Sequence, residues 1–367
     1  MRILIAGGGT AGHVEPALSL AEQLRQRGHD VWLLGTAAGV EARLVPERGF
    51  ALLEIERVPF PRRLNLQVLT FIPKQVQVVF ATRRHMSRNN IDVVVGFGGY
   101  VAWPAYVAAR LLRRVMVVFS YDAHPGIANR IAARWTSWLA VGVRNAHGIF
   151  ARARYTGVPL RQTIISLDRT RARERAADAL GLDVNRKTLV VFGGSLGAVR
   201  LNAALLECAD AITDAGWQVL HITGARNESD LSASLRKESS GQWRALGYLD
   251  DMASAYALAD LVVSRSGAVT CAELTATGVP AVLVPYAVGN GEQSVNAESL
   301  VTSGGYRVVA DADLDGVRLW QELQPLVIGS ELDSMRANAL RWSAEQRTAD
   351  AAHALAAFVE EAAVHGR

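Results

Sequence analysis

A short apolar run followed by glycines, a hydroxyl residue and a further glycine occurs twice in this chain. It is first Ile3-Leu4-Ile5-Ala6-Gly7-Gly8-Gly9-Thr10-Ala11-Gly12, then Leu189-Val190-Val191-Phe192-Gly193-Gly194-Ser195-Leu196-Gly197. A strand with no polar alternation must be covered on both faces, which points to a parallel sheet wrapped by helices. The glycines that follow let the backbone turn tightly and approach an anion, and a helix N-terminus behind them attracts it through unpaired N–H groups and the helix dipole. Two such turns in 367 residues imply two doubly wound halves, each long enough to bury a core of its own.

The remaining sequence keeps the alternation. Strands are expected at Arg2–Ala6, Asp30–Gly35, Asp92–Gly96, Val115–Ser120 and Trp138–Val141, and a second series at Thr188–Phe192, Val219–Thr223, Leu261–Ser264 and Ala281–Pro285. The first helix is predicted over Pro16–Gln26, with Leu18, Leu20, Ala21 and Leu24 turned inward. The expected fold class is α/β, two Rossmann-like halves facing one another. They divide into residues 1–160 and 161–343 near Gly157-Val158-Pro159, and an Ala-rich helix at about 344–364, within a tail of 344–367, packs back on the first half.

Composition narrows the classes. At 50% hydrophobic residues and 39 Lys+Arg against 35 Asp+Glu, the chain is too apolar and too mixed in charge to be disordered. Its two cysteines, Cys208 and Cys271, are too few to staple a secreted fold, so a reducing compartment is expected. The uncharged stretch Val93–Ala109, 17 residues long, is broken by Gly96, Gly98, Gly99 and Pro104. It reads as a strand, a turn and a helix opening near Trp103 rather than a bilayer span. The first residues lack the charged and cleavable parts of a leader peptide.

Charge is unevenly placed. Residues 1–160 hold 20 Lys+Arg and 9 Asp+Glu (+11), whereas residues 161–367 hold 19 and 26 (−7). Such a split points to an anionic partner for the first half. The densest basic and apolar mixture runs from Pro59 to Arg88. It holds Arg62 and Arg63, then Leu66, Leu69, Phe71, Ile72, Val76 and Phe80, then Arg83, Arg84 and Arg88. Apolar residues flanked by arginine suit an anionic lipid surface; the competing reading is a buried helix with a solvated basic edge. No nucleic-acid-binding motif is present, so no nucleic-acid partner is expected.

Gly7, Gly9 and Gly12 satisfy G-x-G-x-x-G, but the second strand ends Leu33-Leu34-Gly35-Thr36 without the acid that would hold a dinucleotide ribose. A nicotinamide cofactor is therefore disfavoured and none is expected. His13, at the head of the loop, is a candidate base or phosphate contact, and Ser195 can offer a phosphate both its hydroxyl and its N–H. The run Arg265-Ser266-Gly267-Ala268-Val269-Thr270-Cys271-Ala272-Glu273 enters a helix with a carboxylate placed to take two ribose hydroxyls. Gln293 and Asn296, in Gly291-Glu292-Gln293-Ser294-Val295-Asn296-Ala297, can bond sugar hydroxyls. No His, Cys, Asp or Glu spacing suggests a metal site.

These motifs together resemble the MurG family of inverting GT-B glycosyltransferases, which move N-acetylglucosamine from UDP to undecaprenyl-diphospho-muramoyl-pentapeptide (lipid I to lipid II). The resemblance rests on Gly8-Gly9-Thr10-Ala11-Gly12-His13, Gly96-Phe97-Gly98-Gly99-Tyr100, Gly157-Val158-Pro159-Leu160-Arg161, Gly193-Gly194-Ser195, Arg265 to Glu273 and Gly291-Glu292-Gln293 with Asn296-Ala297. It implies that Thr10, Ala11 and Gly12 lie beside the donor and acceptor phosphates, that His13 is the base, and that Arg161 and Ser195 contact the donor diphosphate. It further implies Leu249 on the uracil, Ala268, Val269, Thr270, Cys271, Ala272 and Glu273 on the nucleoside with Glu273 on the ribose, and Gln293 on the sugar. The implied partners are a UDP-sugar, a polyprenyl-diphosphate acceptor and the cytoplasmic face of the membrane.

One segment departs from the family. Where His-Glu-x-Asn is usual, the chain has Phe119-Ser120-Tyr121-Asp122, and Leu196 stands where the second glycine loop usually has Gln. Asp122 becomes a second candidate base and sugar contact. The departures open two alternatives: a paralogue glycosylating another phospholipid-type acceptor, or a sugar-nucleotide binding protein without catalysis.

Overall fold

The computed structural model describes residues 1–9, 11–58, 67–144, 146, 148–194, 197–237, 241–287, 291–346 and 351–366. Thr10, Ser195, Leu196 and the 59–66 part of the basic segment lie outside the described residues. The chain divides into two compact units, Met1–Arg161 with Thr348–Arg367, and Gln162–Arg347.

The first unit is built on seven strands, β1 (Arg2–Ala6), β2 (Asp30–Gly35), β3 (Ala51–Glu54), β4 (Val93–Gly96), β5 (Val115–Ser120), β6 (Leu139–Val141) and β7 (Arg154–Tyr155), in the order β3-β2-β1-β4-β5-β6-β7. Every pairing is parallel. The second unit repeats the plan with β8 (Thr188–Phe192), β9 (Gln218–Ile222), β10 (Trp243–Leu246), β11 (Ala259–Ser264), β12 (Ala281–Leu283) and β13 (Tyr306–Val308), in the order β10-β9-β8-β11-β12-β13. It too is parallel throughout. In both sheets the winding reverses beside the first strand, between β1 and β4 and between β8 and β11. Doubly wound folds take their ligands at such a reversal, beyond the strands' C-terminal ends.

The central strands are those the apolar runs announce. Ile3–Ala6, Val94, Val95, Val117 and Val118 have no more than trace exposure, as do Leu189–Val191 and Leu261–Val263. Each sheet carries a separate buried cluster, one including Leu4, Val94, Tyr106 and Val118, the other Val191, Leu205, Val219 and Leu323.

The first helix differs from expectation: it spans Ala11–Gln26, with Pro16 in its second turn rather than at its start. Proline there forgoes only the bond to the Gly12 carbonyl, and the flanking turns carry the helix through. The last helix also differs, running Ala351–His365, because residues up to Glu345 complete the preceding helix, Glu331–Glu345. Ala351–His365 lies on the first helix, where Glu360 receives Arg27 at 2.6 Å and His29 at 2.9 Å. Trp138 and Arg154 pack on Phe358 from the sheet edge.

Candidate active site

In the first unit the loop after β1 is held by a carboxylate that motif reading did not single out. Gly9 adopts φ +96°, and a Cβ there would fall 3.0 Å from the Tyr100 ring, so both conformation and space demand glycine. Its N–H donates to Glu41 Oε2 at 2.9 Å, while Glu41 Oε1 accepts the Thr36 N–H and hydroxyl, each at 2.9 Å. Glu41 is fully buried. Room for it comes from three glycines: a Cβ on Gly8, Gly35 or Gly39 would lie 2.8, 2.4 or 2.2 Å from Glu41 atoms. The Gly9 N–H is thus committed to a carboxylate. Ala11 and Gly12 open the helix behind it.

His13, one turn into that helix, sits edge-on to the Tyr121 ring at 5.4 Å. Gly99, at φ +74°, lies beside it: a Cβ there would be 3.9 Å from His13 Nε2. Burial lowers the imidazole to about 4, opposed by the nearby Glu41 charge, so the ring is neutral at pH 7. Tyr121 is itself buried, its hydroxyl lacks a hydrogen-bond partner among the described residues, and burial with the Asp122 charge holds the phenol well above its usual range. Asp122 is half-buried in the turn that follows.

The departing segment is mostly interior. Phe119 is fully buried, stacks edge-on against Phe97 at 5.0 Å, and gives its carbonyl to Asn129 Nδ2 at 3.0 Å. Asn129 Oδ1 in turn accepts the Tyr106 hydroxyl at 2.7 Å. Ser120 is also buried and donates towards the Asp122 carbonyl at 3.4 Å. At these two positions the exchange is absorbed by packing; Asp122 alone of the three is half-exposed. Arg161 closes the unit with its guanidinium 3.7 Å from Glu15, which also receives Arg48 at 3.1 Å.

In the second unit, Gly197 has φ +77° and a Cβ would strike the Thr223 carbonyl, so the loop after β8 also requires glycine. The helix behind it, Val199–Glu207, starts at Ala198 with no side-chain cap. The helix Ala268–Thr277 starts the same way at Gly267, and the neighbouring Ser266 hydroxyl donates to the Gln293 carbonyl at 2.8 Å. The positive end of a helix dipole, with N–H groups turned to the ligand, is what a phosphate requires.

Glu273 lies in the second turn of Ala268–Thr277, 6% exposed, and accepts the Tyr256 hydroxyl at 2.9 Å. Val269, Thr270 and Ala272 are half-buried around it, whereas Ala268 and Cys271 are buried, Cys271 with its thiol pushed up to about 12. A buried thiol of that kind packs the helix and makes no chemical contribution at neutral pH. Gln293 Oε1 accepts the Tyr286 N–H at 2.9 Å, fixing the turn after β12. Asn296 is buried. In one amide orientation it donates to the Ser266 carbonyl, in the other it pairs with Glu292 and Ala268 backbone, all at 3.3 Å. Either way its amide braces the Ser266–Ala268 loop. Leu249 is half-buried between β10 and the helix Met252–Leu258.

Comparison with known proteins places the chain in a family. Residues 3–140 match the glycosyltransferase family 28 N-terminal domain and residues 188–355 its C-terminal domain. A protein of Clavibacter sepedonicus named UDP-N-acetylglucosamine–N-acetylmuramyl-(pentapeptide) pyrophosphoryl-undecaprenol N-acetylglucosamine transferase is 49% identical over 84% of this chain and 83% of its own length. One of the same name from Thermobifida fusca is 44% identical over 90% and 87%. The chain belongs to the MurG family. The crystal structure of Acinetobacter baumannii MurG, 26% identical, superposes with a TM-score of 0.73 over 98% of this chain and 99% of that one. As a family member the chain is a GT-B glycosyltransferase, and its two parallel sheets are the two Rossmann-like units of that fold.

The sequence motifs point to the glycine loops, His13 and Glu273, and carry no signature for Glu41, Tyr121 or Tyr256. The spacing of Gly8, Gly35 and Gly39 around one acid was the only available signal for Glu41. Glu41→Gln leaves an amide NH2 facing backbone and hydroxyl donors. It should cost about 1–3 kcal/mol of stability, the penalty for a buried unsatisfied donor, and lower turnover by disordering the His13 loop. Denaturant unfolding beside an activity assay checks this; unchanged values for both would show that the carboxylate is dispensable.

Proposed function

We propose that this chain transfers N-acetylglucosamine from UDP-N-acetylglucosamine to an undecaprenyl-diphosphate-linked N-acetylmuramoyl-pentapeptide, with inversion at the anomeric carbon, in peptidoglycan synthesis. The observation that carries this reading is identity of 43–49% with relatives bearing that name, over most of the chain. Two further facts support it. The nucleotide-side residues from Arg265 to Glu273 are intact, and the family departures at Phe119 and Ser120 fall in the core rather than on a ligand-facing surface. These facts favour the lipid I acceptor over the paralogue and non-catalytic alternatives.

In this reading the acceptor hydroxyl attacks the anomeric carbon, the carbon–oxygen bond to the β-phosphate breaks, and UDP leaves with the electron pair. His13 receives the hydroxyl proton. Its neutral ring at pH 7 can accept it, and the Glu41 charge favours the imidazolium that forms. The N-terminus of Ala268–Thr277, joined by that of Val199–Glu207, offsets the charge developing on the diphosphate. Arg161 and Ser195 are assigned to the same diphosphate, Leu249 to the uracil, Glu273 to the ribose and Gln293 to the sugar.

His13→Ala should lower turnover by roughly 10²–10⁴, the usual contribution of a general base, while UDP affinity stays within about twofold. The imidazole protonates only as pH falls towards about 4, so His13 contributes no loss of rate between pH 6 and 8. A transfer assay with labelled UDP-N-acetylglucosamine and a lipid I analogue reads both. Wild-type turnover in the variant removes His13 as the base. Transfer to another phospholipid acceptor and none to lipid I overturns the substrate assignment.

The acceptor is a lipid, and the helix Gln67–Arg88 is suited to meet its membrane. Val78, Val79, Thr82 and Met86 face the core, yet Ile72, Val76 and Phe80 are 62%, 48% and 57% exposed at a spacing that puts them on one face. Arg83 and Arg84 are exposed one turn beyond; Lys74 lies 3.5 Å from Glu56. The helix is thus apolar on two faces, which a purely buried element would not be. Among the described residues no helix is long and apolar enough to cross a membrane. We therefore assign the protein to the cytoplasmic membrane surface as a peripheral enzyme, each cation adding about 1 kcal/mol on anionic lipid. Phe80→Ser with Ile72→Ser should abolish flotation with phosphatidylglycerol vesicles without lowering the melting temperature. Equal flotation of both proteins contradicts the assignment.

A further inference from the structure

A histidine in the middle of the second sheet has no part in the transfer described above. His221, on β9, is fully buried, and so are Asn202, Thr223 and Ser234 around it. Its Nδ1 lies 2.8 Å from the Ser234 hydroxyl, on the helix Glu228–Leu235. Its Nε2 lies 3.1 Å from Asn202 Oδ1, at the end of the first turn of Val199–Glu207. The Trp243 ring of β10 meets the imidazole edge-on at 6.0 Å. Asn202 Nδ2 donates to the Thr223 carbonyl and to Asp230 Oδ2, each at 2.9 Å. The same carbonyl accepts Asn227 Nδ2 at 2.7 Å. Gly197 lies against this pair, since a Cβ there would strike both the Thr223 carbonyl and the Asn227 amide.

We propose that His221 is a positioning residue for diphosphate recognition, acting through Asn202 on the loop after β8 and on the start of Val199–Glu207. The proposal rests on the assignment of the donor diphosphate to that helix start. A carbonyl only accepts hydrogen bonds, so Asn202 turns its NH2 to Thr223 and its oxygen to the imidazole. Nε2 therefore carries the ring proton, and Nδ1 accepts the Ser234 hydroxyl. Burial lowers the imidazole to about 4, so this neutral form is the one present at pH 7. Polar groups are costly to bring into a sheet core unless each is paired, and a fully paired network holds one geometry. The geometry held here ends on the backbone under the diphosphate loop. The Thr223 N–H donates to the Leu246 carbonyl at 2.9 Å, which ties the end of β9 to β10. The Thr223 carbonyl, fixed by Asn202 and Asn227, is in turn the floor on which Gly197 rests. Without the imidazole donor, nothing on β9 holds the Asn202 oxygen away from Thr223, and the loop loses one of the two amides that set its floor. The nucleoside side of the site lies on a different helix, Ala268–Thr277, and shares none of these bonds.

The test is titration of the intact protein with UDP and with uridine, which lacks the diphosphate. His221→Phe keeps an aromatic ring in the sheet and removes both nitrogens. It should weaken UDP about tenfold, the worth of one misplaced hydrogen bond to a charged group, while uridine changes by less than about twofold. His221→Gln, whose amide can donate to Asn202 Oδ1 in place of Nε2, should bring UDP back to within about threefold of wild type. Equal weakening of UDP and uridine in His221→Phe, unchanged UDP binding, or no recovery in His221→Gln shows that His221 only packs the sheet and overturns the proposal. Should His221→Phe fail to fold, Ser234→Ala carries the same test, with UDP about threefold weaker and uridine unchanged as the expected result and equal effects on both as the contrary one. Ser195→Ala, in the loop assigned to the diphosphate, separates this from failure of the underlying assignment. If Ser195→Ala erodes the preference for UDP over uridine and His221→Phe does not, the diphosphate assignment stands and the role of His221 falls. If Ser195→Ala leaves that preference intact, the assignment and the proposal fall together.

Discussion

Parallel strands deliver their C-terminal ends to one edge of a sheet, and a doubly wound sheet must reverse its winding somewhere along that edge. In this chain the reversal falls beside β1 in one unit and β8 in the other, and the functional groups described above cluster around those two places. Each central strand is apolar on both faces and is covered by helices, so its backbone is satisfied within the sheet and only the loop beyond it is free to meet a ligand. The glycines follow from that constraint: Gly9 and Gly197 take backbone conformations, and stand so close to Tyr100 and Thr223, that no side chain fits.

The two reversals have been put to different uses. After β1 the loop is clamped by Glu41, which takes the Gly9 N–H and sets a negative charge near His13. A carboxylate there makes the loop a poor general anion trap, and under the proposed mechanism it supports the protonated form of His13. In the second unit the helices Val199–Glu207 and Ala268–Thr277 start without a cap from their own N-cap side chain, and the buried carboxylate of Glu273 accepts a phenol hydroxyl. The excess of basic residues in the first half then belongs to the surface rather than the loop, most visibly at Arg83 and Arg84 beside the exposed face of Gln67–Arg88.

The central strands, both glycine loops, His13 and Glu273 were legible in the sequence because each rests on a local pattern, an apolar run or a fixed spacing. The edge strands β3, β7, β10 and β13 were not. Ala51–Glu54 and Arg154–Tyr155 are half-exposed and short, and at an edge the pairing partner decides what propensity does not. Pro16 suggested a helix start that tertiary structure placed five residues earlier. Glu41 and Tyr256 act on groups 32 and 17 residues away, and no one-dimensional pattern records such a contact. Asn296 was legible as polar and near the site, but which way its amide faces depends on the packing of Glu292–Thr302 against Ala268–Thr277.

The central claim is this division of labour, donor nucleotide in the second unit and catalytic base on a clamped loop in the first. Amide deuterium exchange of the intact chain with and without saturating UDP tests it most directly. The account predicts protection in residues 247–250, 268–273 and 291–297 with exchange in residues 7–9 unchanged. Protection centred on residues 7–9, with the second unit unaffected, would contradict it.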